Sequence, residues 1–114
     1  MKNEYKDYIE DILNSILKIE DFIDELTFED FKSDDKTVFA VIRALEIIGE
    51  AAKKIPQPLK GKYSQIPWRE ISGMRDKLIH GYFGVDLKVV WDTIKIDIPD
   101  LKPQINRMLS DLDE

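Results

Sequence analysis

The chain has no cysteine and only one histidine among its 114 residues. The first absence excludes a disulfide scaffold, a thiol nucleophile and any zinc site built on thiolates. The second means that one chain cannot by itself build a multi-histidine metal site, or a pair of imidazoles acting as acid and base. Long apolar runs are missing too: none approaches the roughly 18 residues that span a bilayer. The opening MKNEYKDYIE is charged and carries no secretory pattern, so a cytoplasmic protein without membrane contact is expected. Internal repeats and low-complexity stretches are also absent. What remains is 43% hydrophobic residues, enough for the core of a single domain over residues 1–114.

Charge is plentiful but unevenly placed. Residues 1–35 hold 4 Lys against 12 Asp and Glu, a net −8. Residues 36–82 hold 9 Lys and Arg against 4 Asp and Glu, a net +5. Residues 83–114 return to a net −3, which brings the chain to −6. Such an acidic protein does not collect nucleic acid by bulk attraction. Its middle block can offer a local basic surface, or merely solvated helix faces.

Apolar residues recur at steps of three and four almost throughout. Tyr5, Tyr8, Ile9, Ile12, Ile16, Ile19, Ile23 and Leu26 mark a helix from about Asn3 to Leu26. Thr27 to Asp35 has no steady period and reads as a connection. A second helix begins near Ser33–Lys36, among good N-cap residues, and Pro56 and Pro58 stop it. Its stripe is Val38, Val41, Ile42, Leu45, Ile48, Ala52 and Ile55, and Ala44, Gly49 and Ala51 leave room for a close neighbour. Pro56 to Ile66 reads as a loop. A third helix starts at Pro67 and ends near Gly81, with Gly73 inside it as a close-packing position or a weak point. From Leu87 to Leu112 the beat persists through Pro99 and Pro103, as one kinked helix or two in line, with Asp86 as N-cap. The sum is an all-α, up-and-down bundle of four to five helices. The first and last stripes are long for so small a domain, which points to a homodimer.

The run Gly73-Met74-Arg75-Asp76-Lys77-Leu78-Ile79-His80-Gly81-Tyr82-Phe83-Gly84 gathers most of the chemistry. An imidazole moves protons near neutral pH. A guanidinium binds phosphate through paired donors and stabilises its developing charge. Arg75 and His80 therefore suit attack by a ribose 2′-OH on the adjacent phosphorus, which needs a base, an acid and a positive charge. On a helix they stand about 140° apart and would face across a cleft or into a dimer seam. The plainer alternative is a helix-terminal His80 serving the backbone dipole and an Arg75–Asp76 surface pair. Tyr82 and Phe83 could equally pack on the core. Glu46 and Glu50 share a face, read here as a polar face supporting Arg75 or Arg43 rather than a metal site. Trp68 and Trp91 read as core anchors before base-stacking platforms.

Arg75-x4-His80-x-Tyr82 resembles the motif of the HepT-like branch of the HEPN superfamily. So do Ala40 to Ala52, Ile66-Pro67-Trp68-Arg69-Glu70-Ile71 and Val90-Trp91, and the likeness covers about residues 5–110. The resemblance implies a homodimeric HEPN-type bundle and a ribonuclease toxin, and since the residue chemistry above needs no metal, a metal-independent reaction with no cofactor is expected. Arg75 and His80 take the catalytic positions, and Asp76 a supporting polar one. It further implies a cognate MntA-like minimal nucleotidyltransferase as antitoxin, which transfers AMP from ATP to an exposed Tyr82 and silences the RNA cleavage. Two readings of the residues fit this. A dimer supplies the second histidine, and AMP beside His80 would add bulk and a negative phosphate that pairs with Arg75. The alternative is a non-catalytic helical dimer that binds a nucleotide or partner and regulates a nucleotidyltransferase, with an acidic first helix contacting a basic surface.

Overall fold

The computed structural model describes residues 2–80 and 86–113. Every element among them is helical. In order they are α1 (Lys2–Phe22), α2 (Phe28–Ser33), α3 (Asp35–Lys54), α4 (Gln57–Lys62), α5 (Trp68–His80), α6 (Leu87–Asp92), a π-helical turn (Thr93–Asp97) and α7 (Ile98–Asp113). The long rods match the sequence expectation. The count is higher than the expected four to five because two short helices occupy stretches that read as connections.

The first of these is α2. Thr27 accepts from the Asp30 amide at 3.1 Å, and the Asp30 carboxylate accepts from the Thr27 amide at 3.1 Å, a reciprocal cap that starts a helix only six residues long. One turn and a half is too short to show a period, but it buries Phe31 completely. The second is α4, six residues begun behind Pro56 with Pro58 in its first turn, where a missing amide costs nothing.

α1 ends four residues earlier than its stripe. Past Phe22 the chain turns, and Glu25 adopts the left-handed region at φ 64°. Ile23 stays buried and Leu26 packs against the core, so the apolar beat outlasts the helical backbone. α3 begins behind Asp34, whose carboxylate accepts from the Thr37 amide at 3.2 Å and the Thr37 hydroxyl at 2.7 Å. These bonds hold the Asp34 carboxyl below its ordinary value of 3.8.

α3 lies between α1 and α5, and α1 also packs on α7. Ile9, Ile12, Ile16 and Ile19 of α1 meet Val41, Leu45, Ile48 and Ala52 of α3 in one core, joined by Ile105 and Met108 of α7. Ala44, Gly49 and Ala51 are buried, consistent with the close approach their size allows. At the surface Lys102 Nζ reaches Glu20 at 2.9 Å and Lys6 pairs with Asp113, tying α7 antiparallel along α1. The Asp113 carboxylate raises the Lys6 ammonium above its ordinary 10.5, first through their hydrogen bond and then through its charge. Most of the two long stripes is thus spent within one chain, so stripe length by itself leaves little surplus for a second copy.

α6, the π turn and α7 follow one another with right-handed helical backbone at both junctions. Asp86 caps α6, accepting from the Lys88 amide at 2.9 Å. The wide turn ends two residues before Pro99, whose ring would crowd the Lys95 carbonyl in a regular α-helix. Trp91 is buried against Phe31, with ring centroids 5.2 Å apart, and Trp68 is buried too. Both tryptophans are core anchors, as expected.

Candidate active site

α5 is the helix that carries the candidate chemistry. Pro67 directs the chain into it, and the Trp68 indole donates to the Tyr63 carbonyl at 3.1 Å, fixing the incoming turn. Ile71 is buried and Met74 packs on the core, which sets the face α5 turns toward α3. The Ser72 hydroxyl is buried with no hydrogen-bond partner among the described residues. Gly73 has no described atom within 4 Å of the position a Cβ would take, so within the chain it is a weak point rather than a close approach.

Arg75, Asp76 and His80 all lie on the second half of α5, where the backbone is described and the side chains are not. One helix therefore carries all three, and Arg75 and His80 are five positions apart on it. Tyr82 lies outside the described residues. Of the supporting pair on α3, Glu50 makes an ion pair with Arg43 at 3.4 Å, the polar-face arrangement expected. No group of three or more metal-ligating side chains occurs among the described residues.

One concavity flanks α5, and a second adjoins the turn that leads into it. A cleft of about 510 Å³ separates α5 from the π turn and α7. Its floor is apolar, from Ile71, Met74, Ile98 and Leu101, and Glu70, Asp97 and Asp100 stand along it. Met74 in that floor is the residue before Arg75. A smaller hollow of about 140 Å³ opens beyond Gln65 and Gln104, which line both. Lys62, Tyr63, Ser64 and Arg107 complete it. Sequence reading located the basic middle block but not this hollow, because Arg107 reaches it from α7, more than 40 positions along the chain. The signal available was the stretch 51–69, with five Lys and Arg and no Asp or Glu.

Residues 12–108 match the family model described as ribonuclease HepT-like. The chain belongs to that family. Among its HepT-like relatives is "Probable ribonuclease HepT" of Thermococcus cleftensis, 58% identical over 108 residues, 95% of this chain and 98% of the relative. "Putative RNase MJ0125" of Methanocaldococcus jannaschii is 45% identical over 113 residues, covering 99% and 97%. A third, "Putative RNase TTE0752" of Caldanaerobacter subterraneus, is 45% identical over 102 residues, 90% of this chain and 91% of the relative. No solved structure matches the chain. Membership in the HepT-like family agrees with the all-helical architecture and with the resemblance carried by Arg75, His80 and the flanking segments.

Proposed function

We propose that the protein is an endoribonuclease that cleaves RNA without a metal, from an active site shared by two copies of the chain. The observation that carries this reading is the family match over residues 12–108 together with the position of Arg75 and His80 on a single helix, α5. One imidazole removes the ribose 2′-OH proton, and the 2′ oxygen bonds to the adjacent phosphorus. The bond from phosphorus to the 5′ oxygen breaks, and the partner's His80 delivers a proton to that oxygen. The products are a 2′,3′-cyclic phosphate and a 5′-hydroxyl end. Arg75 binds the non-bridging oxygens and stabilises the charge that builds on them, while Asp76 orients its neighbours. Two copies are needed because each chain has one histidine.

The same reading makes the chain the toxin of a two-gene system. A small nucleotidyltransferase directs the Tyr82 oxygen at the α-phosphorus of ATP, with pyrophosphate leaving and the phenol proton lost to solvent. The AMP ester then fills the cleavage site.

The test is RNA cleavage by unmodified dimeric protein, by His80→Ala and by Arg75→Lys, with and without EDTA. His80→Ala is expected to lose a factor of about 10²–10⁴, and EDTA to change nothing. Intact RNA after incubation with wild type refutes the proposal. Intact mass after co-expression with the nucleotidyltransferase tests the switch: an unchanged mass with an active partner removes it. The acidic first third, net −8, favours a second reading as a non-cleaving binding module for a basic partner. Tight nucleotide or partner binding without RNA cleavage would select it.

A further inference from the structure

We infer that the hollow formed by Lys62, Tyr63, Ser64, Gln65, Gln104 and Arg107 is a phosphate-binding subsite that holds the backbone of single-stranded RNA away from the cleavage point. The inference deepens the ribonuclease reading and rests on it for the identity of the ligand.

The argument begins with charge. Acidic residues outnumber basic ones by 23 to 17, so a surface cation in this chain has carboxylates to spare. Several cations use what lies near them: Arg43 pairs with Glu50, Lys102 with Glu20, and Lys88 with Asp92. Lys60 lies over the Trp68 ring and Lys54 over the Tyr8 ring. Lys62 and Arg107 have no ion pair or hydrogen bond among the described residues, although both line the same hollow.

The neighbouring groups are suited to an anion. Ser64 brings a hydroxyl and Gln65 an amide, and the Gln104 amide, which donates one N–H to the Asp100 carbonyl at 3.3 Å, has a second to give. Asp111, a carboxylate held at this end of the bundle, accepts a hydrogen bond from the Tyr63 hydroxyl. A lysine and an arginine from different elements, with neutral donors between them, form the donor set that binds a phosphodiester.

Position supplies the substrate class. The turn holding Tyr63 to Gln65 leads directly into α5, and Arg75 follows Trp68 by seven residues, about 10 Å along the helix axis. A strand cut at the α5 motif can thus rest another of its phosphates in this hollow. The wider cleft beside it is the wrong track for RNA, because Glu70, Asp97 and Asp100 would repel the backbone there.

The test is fluorescence anisotropy of a labelled single-stranded RNA 12-mer against the full-length protein carrying His80→Ala, which prevents turnover. Lys62→Gln and Arg107→Gln are each compared with Lys18→Gln, an exposed charge on α1. Each phosphate contact contributes about 0.7 to the slope of log affinity against log salt. Each hollow variant is therefore expected to flatten the slope by about 0.7, equivalent to about fivefold weaker binding at 0.1 M relative to 1 M salt. Lys18→Gln should change neither. Unchanged slopes in both hollow variants overturn the inference, as does an equal effect of Lys18→Gln, which would mean a general field. AMP or inorganic phosphate binding as tightly as the 12-mer also overturns it, because the site would then belong to a free nucleotide or anion. Circular dichroism checks the fold, and Gln65→Glu, which places a carboxylate in the same hollow, should weaken RNA independently. The two readings fail separately. RNA that binds through Lys62 and Arg107 but stays intact with wild type refutes the nuclease and keeps the subsite. Cleavage with unchanged salt slopes does the reverse.

Discussion

Phe31→Ala tests whether the short helix α2 is a structural anchor or a decorated loop. Phe31 is 0% exposed, and its ring lies 5.2 Å from that of Trp91 at 37°. Removing a fully buried phenyl forfeits about 2–3 kcal/mol of transfer energy and about 1 kcal/mol from the ring pair. The residual cavity brings the total to about 4 kcal/mol, within the usual range for Phe→Ala. Against a domain stability of about 5–15 kcal/mol, that is a large fraction. It corresponds to a fall in Tm of about 15 °C. Phe28 supplies the internal comparison. It is half-buried, its centroid is 6.1 Å from Trp91, and Lys88 covers its ring at 5.3 Å. Phe28→Ala should cost only about 1–2 kcal/mol. Urea unfolding at one fixed protein concentration measures both, since association would otherwise shift the midpoints. A Phe31→Ala loss under 1 kcal/mol would refute the anchoring role. Equal losses at the two positions would refute the argument that burial rather than ring contact sets the cost.

Other outcomes follow from single positions. Glu25→Gly should stabilise the protein by about 0.5–1 kcal/mol, because φ 64° strains a side chain more than glycine's extra freedom costs; thermal unfolding reads this directly. Gly73→Ala should add about 1 kcal/mol of helix stability, since no described atom obstructs the methyl; a loss of RNA cleavage despite a higher Tm would mean that another molecule uses the gap. The Asp34 cap predicts a pH dependence. Its folded pKa is depressed, so its contribution is present above 3.8 and is lost as pH falls through the lower folded value. Asp34→Ala should reduce the acid-side slope of stability between pH 5 and 2, measured by urea titration.

Much of the architecture was legible because period and burial coincide. Ile9, Ile12, Ile16 and Ile19, and later Leu45 and Ile48, are both rhythmic in sequence and buried in the bundle. Period and burial part company in two places. Ile23 and Leu26 continue the rhythm after the backbone has turned at Glu25, so α1 looked too long. α2 offered no rhythm, and its evidence was the Thr27–Asp30 cap, with aspartate in place of the glutamate or glutamine usual in such boxes. At the candidate site, the order of Arg75, Asp76 and His80 along one helix was legible from Pro67 onward. The hollow at Lys62 and Arg107 was not, because it depends on how α7 passes the end of α4.

The π turn at Thr93–Asp97 also governs how the chain tolerates changes in length. Its N–H to carbonyl bonds skip one residue more than those of α6 and α7; the Ile98 amide, for example, reaches the Thr93 carbonyl. The turn therefore stores a spare residue. Excising one residue there lets the backbone relax to ordinary winding while Trp91 on one side and Ile105 on the other keep their bearings. The same excision inside α7 would swing everything after it by about 100° and carry Met108 out of the core toward solvent. The wide turn acts as an expansion joint, where the loss of an exposed residue such as Lys95 should disturb the two ends less than the same loss inside α7.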